Sequence, residues 1–297
     1  MNNFSVCFWM DGEAANAFAF YQTVFKNVKK LSSLNYSDAN SGHGGLPAGS
    51  LMTVEFELEG LQILLLNGGP IFKTNPSISL HVTCETVAEC DELFNKLADG
   101  GEVLMPLDKY PFSEKFGWVN DKFGISWRVI VGKASQKVTP TLMYQGGNGS
   151  TAEEAMNHYT SIFKNSKILA AHKFEEGEGP VNLVKYAEFQ LNGELFMAFD
   201  SPIPHAFNFS EGVSLIAYCK TQEEVDHFWD KLVEGGRPSQ CGWLVDKFGV
   251  SWQIIPTVMI ELMQSQDAEG YDRVMQSMLE MVKLDIKALE KAAYVHK

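Results

Sequence analysis

Gly117-Trp-Val-Asn-Asp-Lys-Phe-Gly-Ile-Ser-Trp-Arg-Val-Ile130 and Gly242-Trp-Leu-Val-Asp-Lys-Phe-Gly-Val-Ser-Trp-Gln-Ile-Ile255 are one stretch used twice, with nine of fourteen positions identical. Most of the remaining pairs exchange like for like: Val119/Leu244, Ile125/Val250, Val129/Ile254 and Arg128/Gln253. The chain is an internal duplication. Each copy reads as strand, turn and strand, because Asp-Lys-Phe-Gly supplies turn chemistry and the residues after it alternate apolar with polar.

The correspondence extends outward in both directions. Residues 5–10 read as a strand, and Asp11-Gly12 opens a helix with Ala14, Ala17, Phe18, Tyr21 and Phe25 at helical spacing. The second copy restarts with a strand at 141–144, a glycine turn at 146–149 and a capping box, Thr151 to Glu154, ahead of Met156, Tyr159 and Phe163. A glycine-rich loop at 38–49, shorter at 175–180 in the second copy, precedes two hairpins, turned at Glu59-Gly60 and at Asn192-Gly193. A strand and a helix ending at Gly100-Gly101 or Gly235-Gly236 follow in each copy. An extra hairpin near 102–115 has no counterpart in the second copy. Each half thus carries strand-helix-strand-strand-strand twice, the last unit abbreviated. This predicts α+β architecture with helices on one face of curved sheets. The boundaries expected are 1–133, 134–257 and a helical tail at 258–297. Met275, Leu279, Val282, Ile286 and Leu289 form an apolar stripe along that tail, which packs on the chain's own domains or makes a dimer contact.

The 297 residues exceed the usual single-domain size, in keeping with two domains. A net charge of −13 with scattered Lys and Arg argues against a nucleic-acid partner. Five cysteines without Cys-x-x-Cys spacing read as reduced thiols. With neither an N-terminal leader pattern nor a membrane-spanning apolar run, the expectation is a cytoplasmic protein without a membrane partner.

Phe-Tyr…Val-Phe-Lys in the first helix, Glu-Phe-x-Leu-x-Gly in the hairpin and Asp-Lys-Phe-Gly-x-Ser-Trp together resemble the PhnB-like branch of the vicinal-oxygen-chelate superfamily, the glyoxalase and bleomycin-resistance fold. Residues 242–256 and the tail resemble the branch labelled 3-demethylubiquinone-9 3-methyltransferase. The resemblance covers nearly the whole chain. It implies two tandem glyoxalase-like domains of βαβββ units, each pair of units forming a half-open barrel around a small-molecule cavity. Units of such proteins also swap, so a barrel combines units within one half or between the halves.

Methyl transfer is not supported by the residues: the glycines at 42, 44 and 45 precede a strand, and those at 146, 147 and 149 form a connector, whereas the usual S-adenosylmethionine site needs a glycine turn between strand and helix. Metal-using members of the superfamily place ligands at positions that fall here on Ser5, Ser77 and Arg128 in the first half and on Thr139, Gly212 and Gln253 in the second. None is a histidine or carboxylate, so no metal and no cofactor are expected. Period-two geometry then turns Ser126 and Ser251 inward with Arg128 and Gln253, and Trp127 and Trp252 outward against helices.

Glu55 and Glu188 recur in the hairpins, sharing their faces with Thr53 and Tyr186; they are the candidate catalytic carboxylates, with Arg128 a partner. His81, with Ser77 and Ser79 on its face, completes the candidate ligand-binding set of His81, Arg128, Tyr186, Gln253, Thr53 and Ser79. His43 sits in the glycine loop, which is a candidate lid. Cys84 and Cys219 match between copies on the face opposite His81 and read as packing thiols. If the units swap, Glu55 faces Gln253, while Glu188 and Tyr186 share a cavity with His81 and Arg128. The function expected is binding of a small organic molecule without the usual divalent metal. The alternatives are an isomerase or lyase with Glu55 or Glu188 as base and Arg128 stabilising an oxyanion, a metal enzyme with relocated ligands such as His81 and Glu188, and an interaction protein with degenerate cavities.

Overall fold

A computed structural model describes residues 3–42, 44–145, 151–265 and 267–294; His43 and the turn at 146–149 lie outside the described residues. Four units follow one another. The first is β1 (Phe4–Met10), α1 (Ala14–Val24), β2 (Val28–Asn35), β3 (Leu51–Leu58) and β4 (Leu61–Asn67). The second is β5 (Ile78–Cys84), α2 (Val87–Ala98), β6 (Glu102–Tyr110), β7 (Ser113–Asn120) and β8 (Ser126–Val131). The third is β9 (Val138–Gln145), α3 (Ala152–Ile162), β10 (Lys167–Lys173), β11 (Val184–Leu191) and β12 (Glu194–Ser201). The fourth is β13 (Val213–Cys219), α4 (Gln222–Val233), β14 (Arg237–Pro238), β15 (Trp243–Val245) and β16 (Ser251–Pro256), with the hairpin reduced to strands of 2 and 3 residues. The capping box read at Thr151 and Glu154 is formed at the start of α3.

The units swap. The first sheet runs β14-β15-β16-β13-β1-β4-β3-β2 and the second runs β10-β11-β12-β9-β5-β8-β7-β6. The antiparallel junctions pair β1 with β13 (Ser5↔Ile216) and β5 with β9 (His81↔Thr139). Neither sheet coincides with a sequence repeat: the second is built from the middle of the chain and the first from its two ends.

The duplicated turn explains how the sheets are held together. Asp121 is 3% exposed, and its carboxylate accepts from the backbone N–H of Phe123 and Ile125 (2.9 and 3.1 Å), from Trp127 Nε1 (2.8 Å) and from Tyr21 Oη (2.7 Å). Asp246 repeats this with Phe248, Val250, Trp252 Nε1 and Tyr159 Oη (2.9, 3.0, 2.9 and 2.6 Å). Gly124 and Gly249 close the turns at φ +82° and +89°, where a side chain would be strained. Tyr21 belongs to the first sheet's α1 and Asp121 to the second sheet, so the bond crosses between them. Burial pushes the Asp246 carboxyl up to about 6, against the pull of its hydrogen bonds. Trp127 and Trp252, fully buried, sit among the helices in a core shared by both sheets.

The tail is three helices, α5 (Thr257–Ser265), α6 (Ala268–Leu279) and α7 (Ile286–Ala293), rather than one. The expected stripe breaks between Leu279 and Ile286, leaving Val282 40% exposed. The reason is non-local: Cys241 and Gly242 donate backbone hydrogen bonds to the Met281 and Val282 carbonyls (2.7 and 2.8 Å), and Asp285 caps a new helix. Met259, Leu262, Met263, Val274, Met275, Leu284 and Leu289 pack on Cys7, Ile216, Tyr218 and Ile255 of the first sheet, so the tail lies on the chain's own sheet, on the face turned away from α1 and α4. Among the described residues no helix is long and apolar enough to cross a membrane.

Removing Asp246 strands four donors, so Asp246→Ala is expected to cost about 3 kcal/mol or more and Tyr159→Phe about 1 kcal/mol in urea unfolding. A loss below about 1 kcal/mol for Asp246→Ala would contradict the role assigned to this carboxylate.

Candidate functional site

Each sheet packs one face against helices of the repeated units and curls its other face into a cup. In the first sheet that cup is filled. Glu55, 3% exposed, accepts from Gln62 Nε2 (2.5 Å), Tyr218 Oη (2.6 Å) and Ser32 Oγ (3.1 Å), and Gln253 Nε2 donates to Ser214 Oγ (3.0 Å). Cys7 lies between them, its thiol pushed up to about 12 by burial. Thr53 lies two residues before Glu55 on β3, and the tail covers this face. The pairing of Glu55 with Arg128 considered from the sequence is not formed: the two stand in different sheets.

The second cup carries no such cover from the tail. Strand register sets Trp118, Arg128, His81 and Thr139 in one row across β7, β8, β5 and β9, and Ser79, Thr141, Met197 and Glu188 in the next. Trp127 is tied to the opposite face by Asp121, so the period of two turns Arg128 into the cup. Its guanidinium carbon lies 4.1 Å from the Trp118 ring centroid and 4.0 Å from that of Phe199. Phe199 is on β12, so the side chain reaches across β5 and β9. Trp118 is held in turn by its Nε1 donating to Ser126 Oγ (2.8 Å).

The Arg128 side chain is half-buried, and its charge meets two ring faces but no carboxylate among the described residues. Its Nε is buried without a hydrogen-bond partner, and it takes part in none of the ion pairs among the described residues. Burial lowers its pKa to about 9, leaving it cationic at neutral pH. Ser79, 0% exposed, also has an unpartnered Oγ. Burial first, and Arg128 second, lower the His81 pKa to about 3. His205, whose Nε2 meets Ser201 Oγ at 2.8 Å, is lowered by the same two causes. On β11, Tyr186 Oη donates to Glu188 Oε1, and Glu188 has no ion pair with Arg128. Burial raises the Tyr186 pKa.

The structure thus brings together His81, Arg128, Ser79, Tyr186 and Glu188 on one sheet face and sends Glu55, Thr53 and Gln253 to the other sheet. The flanking rings of Trp118 and Phe199, and His205, were not read from the sequence. Trp118 could have been, since it belongs to the duplicated stretch and alternation puts it beside Arg128. Phe199 could not, because its contact depends on the curl of the sheet. The 38–49 loop packs on the first sheet, with Asn40 Nδ2 on Met52 Sδ (3.3 Å) and Gly44 against Tyr36, and its described contacts do not make it a lid for the second cup. No group of three His, Cys, Asp or Glu able to hold a metal ion occurs among the described residues, so His81 and Glu188 lack a third such ligand. A cleft of about 660 Å³ lined by Trp9, Phe72 and Lys122 contains none of the buried unpartnered polar atoms.

His81 stays neutral in the fold, whereas the unfolded chain binds a proton there below about pH 6.5. Stability therefore falls as pH drops from about 6.5 towards 3, by about 1.4 kcal/mol per unit from this group. The stability difference between wild type and His81→Gln should carry that slope in pH-dependent urea unfolding. A flat difference would contradict the neutral, buried imidazole.

A sequence model of the family described as 3-demethylubiquinone-9 3-methyltransferase matches residues 2–130 and again 136–255, and the chain belongs to that family. Among solved structures it is similar to a PhnB protein from Bacillus cereus at 36% identity, covering 43% of this chain and 98% of that one with a TM-score of 0.39. It is also similar to glyoxalase I from Zea mays at 10% identity, covering 88% of this chain and 94% of that one with a TM-score of 0.57, a likeness of fold. No curated protein matches the chain significantly.

Proposed function

We propose that this member of the family is a small-molecule-binding protein whose site is the second cup and which works without the divalent metal common in glyoxalase-type folds. The observation that carries the reading is the contrast between the cups. Where the tail fills one, Glu55 and Gln253 are hydrogen-bonded and a neutral Ser251 Oγ is left over; where the other is left uncovered by the tail, a cation, Arg128, keeps a buried unpartnered N–H beside the unpartnered Ser79 Oγ. Buried polar groups in native proteins are nearly always paired, and an exception in a concave face calls for a partner from outside.

The donor set disfavours a metal: the positions the resemblance assigns to ligands hold Ser5, Ser77, Arg128, Thr139, Gly212 and Gln253, and in the row of Thr139, His81 and Arg128 a single imidazole stands beside a guanidinium, which repels a cation. The residues also do not fit an S-adenosylmethionine site of the usual strand-glycine-helix kind. The 38–49 loop joins two strands, and a Cβ at Gly44 would lie 1.8 Å from Tyr36 Oη, so the missing side chain makes room for the protein's own tyrosine. The five cysteines, all free thiols, support placement in a reducing compartment such as the cytoplasm. A second reading is proton transfer by Glu188, favoured by its place on the same face and by the Tyr186 hydroxyl on its carboxylate.

A thermal-shift screen of metabolite mixtures tests the reading. A ligand at a hundredfold excess over its Kd stabilises by about 2.7 kcal/mol, a shift of several degrees. Arg128→Gln and Ser79→Val should abolish the shift and Gln253→Met, in the first cup, should keep it. Hits that depend on Gln253 and ignore Arg128 would contradict the reading.

A further inference from the structure

We propose that the second cup takes an organic anion, a carboxylate or similar oxyanion carried on a flat aromatic body, with the charged group held by the Arg128 and Ser79 side chains. The inference rests on the reading of this cup as the ligand site and narrows it to a chemical class.

The duplication supplies an internal comparison. Ser79 and Arg128 correspond in register to Ser214 and Gln253 of the first sheet, since Leu80 pairs with Trp127 as Leu215 pairs with Trp252. In the filled cup the corresponding pair satisfies itself, Gln253 Nε2 donating to Ser214 Oγ at 3.0 Å. In the second cup glutamine is replaced by a cation, and both Ser79 Oγ and Arg128 Nε are left without partners. Trp118 and Phe199 attract the face of the guanidinium through their π systems, but its N–H donors lie in its plane, where a ring cannot accept them. A planar oxyanion meets those donors edge-on, and a serine hydroxyl donates to the same group.

The surroundings favour negative charge. Burial first and the charge of Arg128 second hold His81 and His205 neutral, so each keeps an N–H to offer without adding a competing cation. Glu188, the carboxylate on this face, is engaged by Tyr186. The body of the ligand would find aromatic surface along the long β6–β7 hairpin, which the fourth unit keeps only as short strands. Phe116 packs against Tyr110 and Phe112 with centroids 5.7 and 5.2 Å away, and Phe112 is 58% exposed.

The test is an NMR titration of the full chain with benzoate, phenylphosphonate and the neutral isostere benzamide, following the Arg128 Nε–H and Trp118 indole resonances. At least one anion should move both resonances and bind about tenfold or more tighter than benzamide, as loss of a charged hydrogen bond implies. Ser79→Ala should weaken the anion, Arg128→Gln should abolish the preference, and Arg128→Lys should retain part of it. Benzamide binding as tightly as the anions would overturn the anionic class while leaving the cup as a site. If no probe moves either resonance, the site reading falls with it. The comparison of benzoate with benzamide is made on the wild-type chain and stands even if an Arg128 variant fails to fold.

Discussion

The bond from Tyr21 to Asp121, repeated from Tyr159 to Asp246, joins units that lie in different sheets. A carboxylate removed from water is costly unless its acceptor sites are filled, and here two backbone N–H groups, an indole and a phenol fill them. The consequences reach the candidate site. Fixing the Trp127 indole to Asp121 fixes which face of β8 is core, and the next residue, Arg128, is thereby committed to the cup. The same bond at Asp246 commits Gln253 in the first sheet.

From that common frame the two cups diverge by what borders them. The first has lost most of its fourth-unit hairpin and is occupied by three tail helices, whose methionines and leucines adapt to an irregular concave surface. Its Glu55 and Gln253 are accordingly hydrogen-bonded within the protein, and only the neutral Ser251 Oγ on that face of β16 is left without a partner. The second keeps a long hairpin with an aromatic edge and holds an arginine at the position where the first holds a glutamine. One duplicated half-barrel has become part of the core, and its twin retains the unpaired groups of a binding surface.

What could be read from the sequence was local. The repeated turn, the capping box at Thr151 and the inward direction of Arg128 follow from short-range spacing and from alternation. Swapping was left open because the same strands can pair within or between halves; the choice is made by the β1–β13 and β5–β9 junctions, far apart in sequence. The tail looked like one helix because helical spacing continues through Val282, and only backbone hydrogen bonds from Cys241 and Gly242 interrupt it. Glu55 and Glu188 look equivalent in the sequence. Their surroundings differ because Gln62 and Tyr218 reach Glu55, whereas the position in the other hairpin that corresponds to Gln62 holds Leu195.

The central claim, that one cup is sealed and its twin receives a ligand, is tested most directly by a high-resolution crystal structure of the protein as purified from its native cells without denaturation. The account predicts non-protein density on the Arg128 N–H groups and Ser79 Oγ, and a first cup closed by the tail around a hydrogen-bonded Glu55. A ligand in the first cup with the tail displaced, and Arg128 paired to a carboxylate of the protein itself, would contradict it.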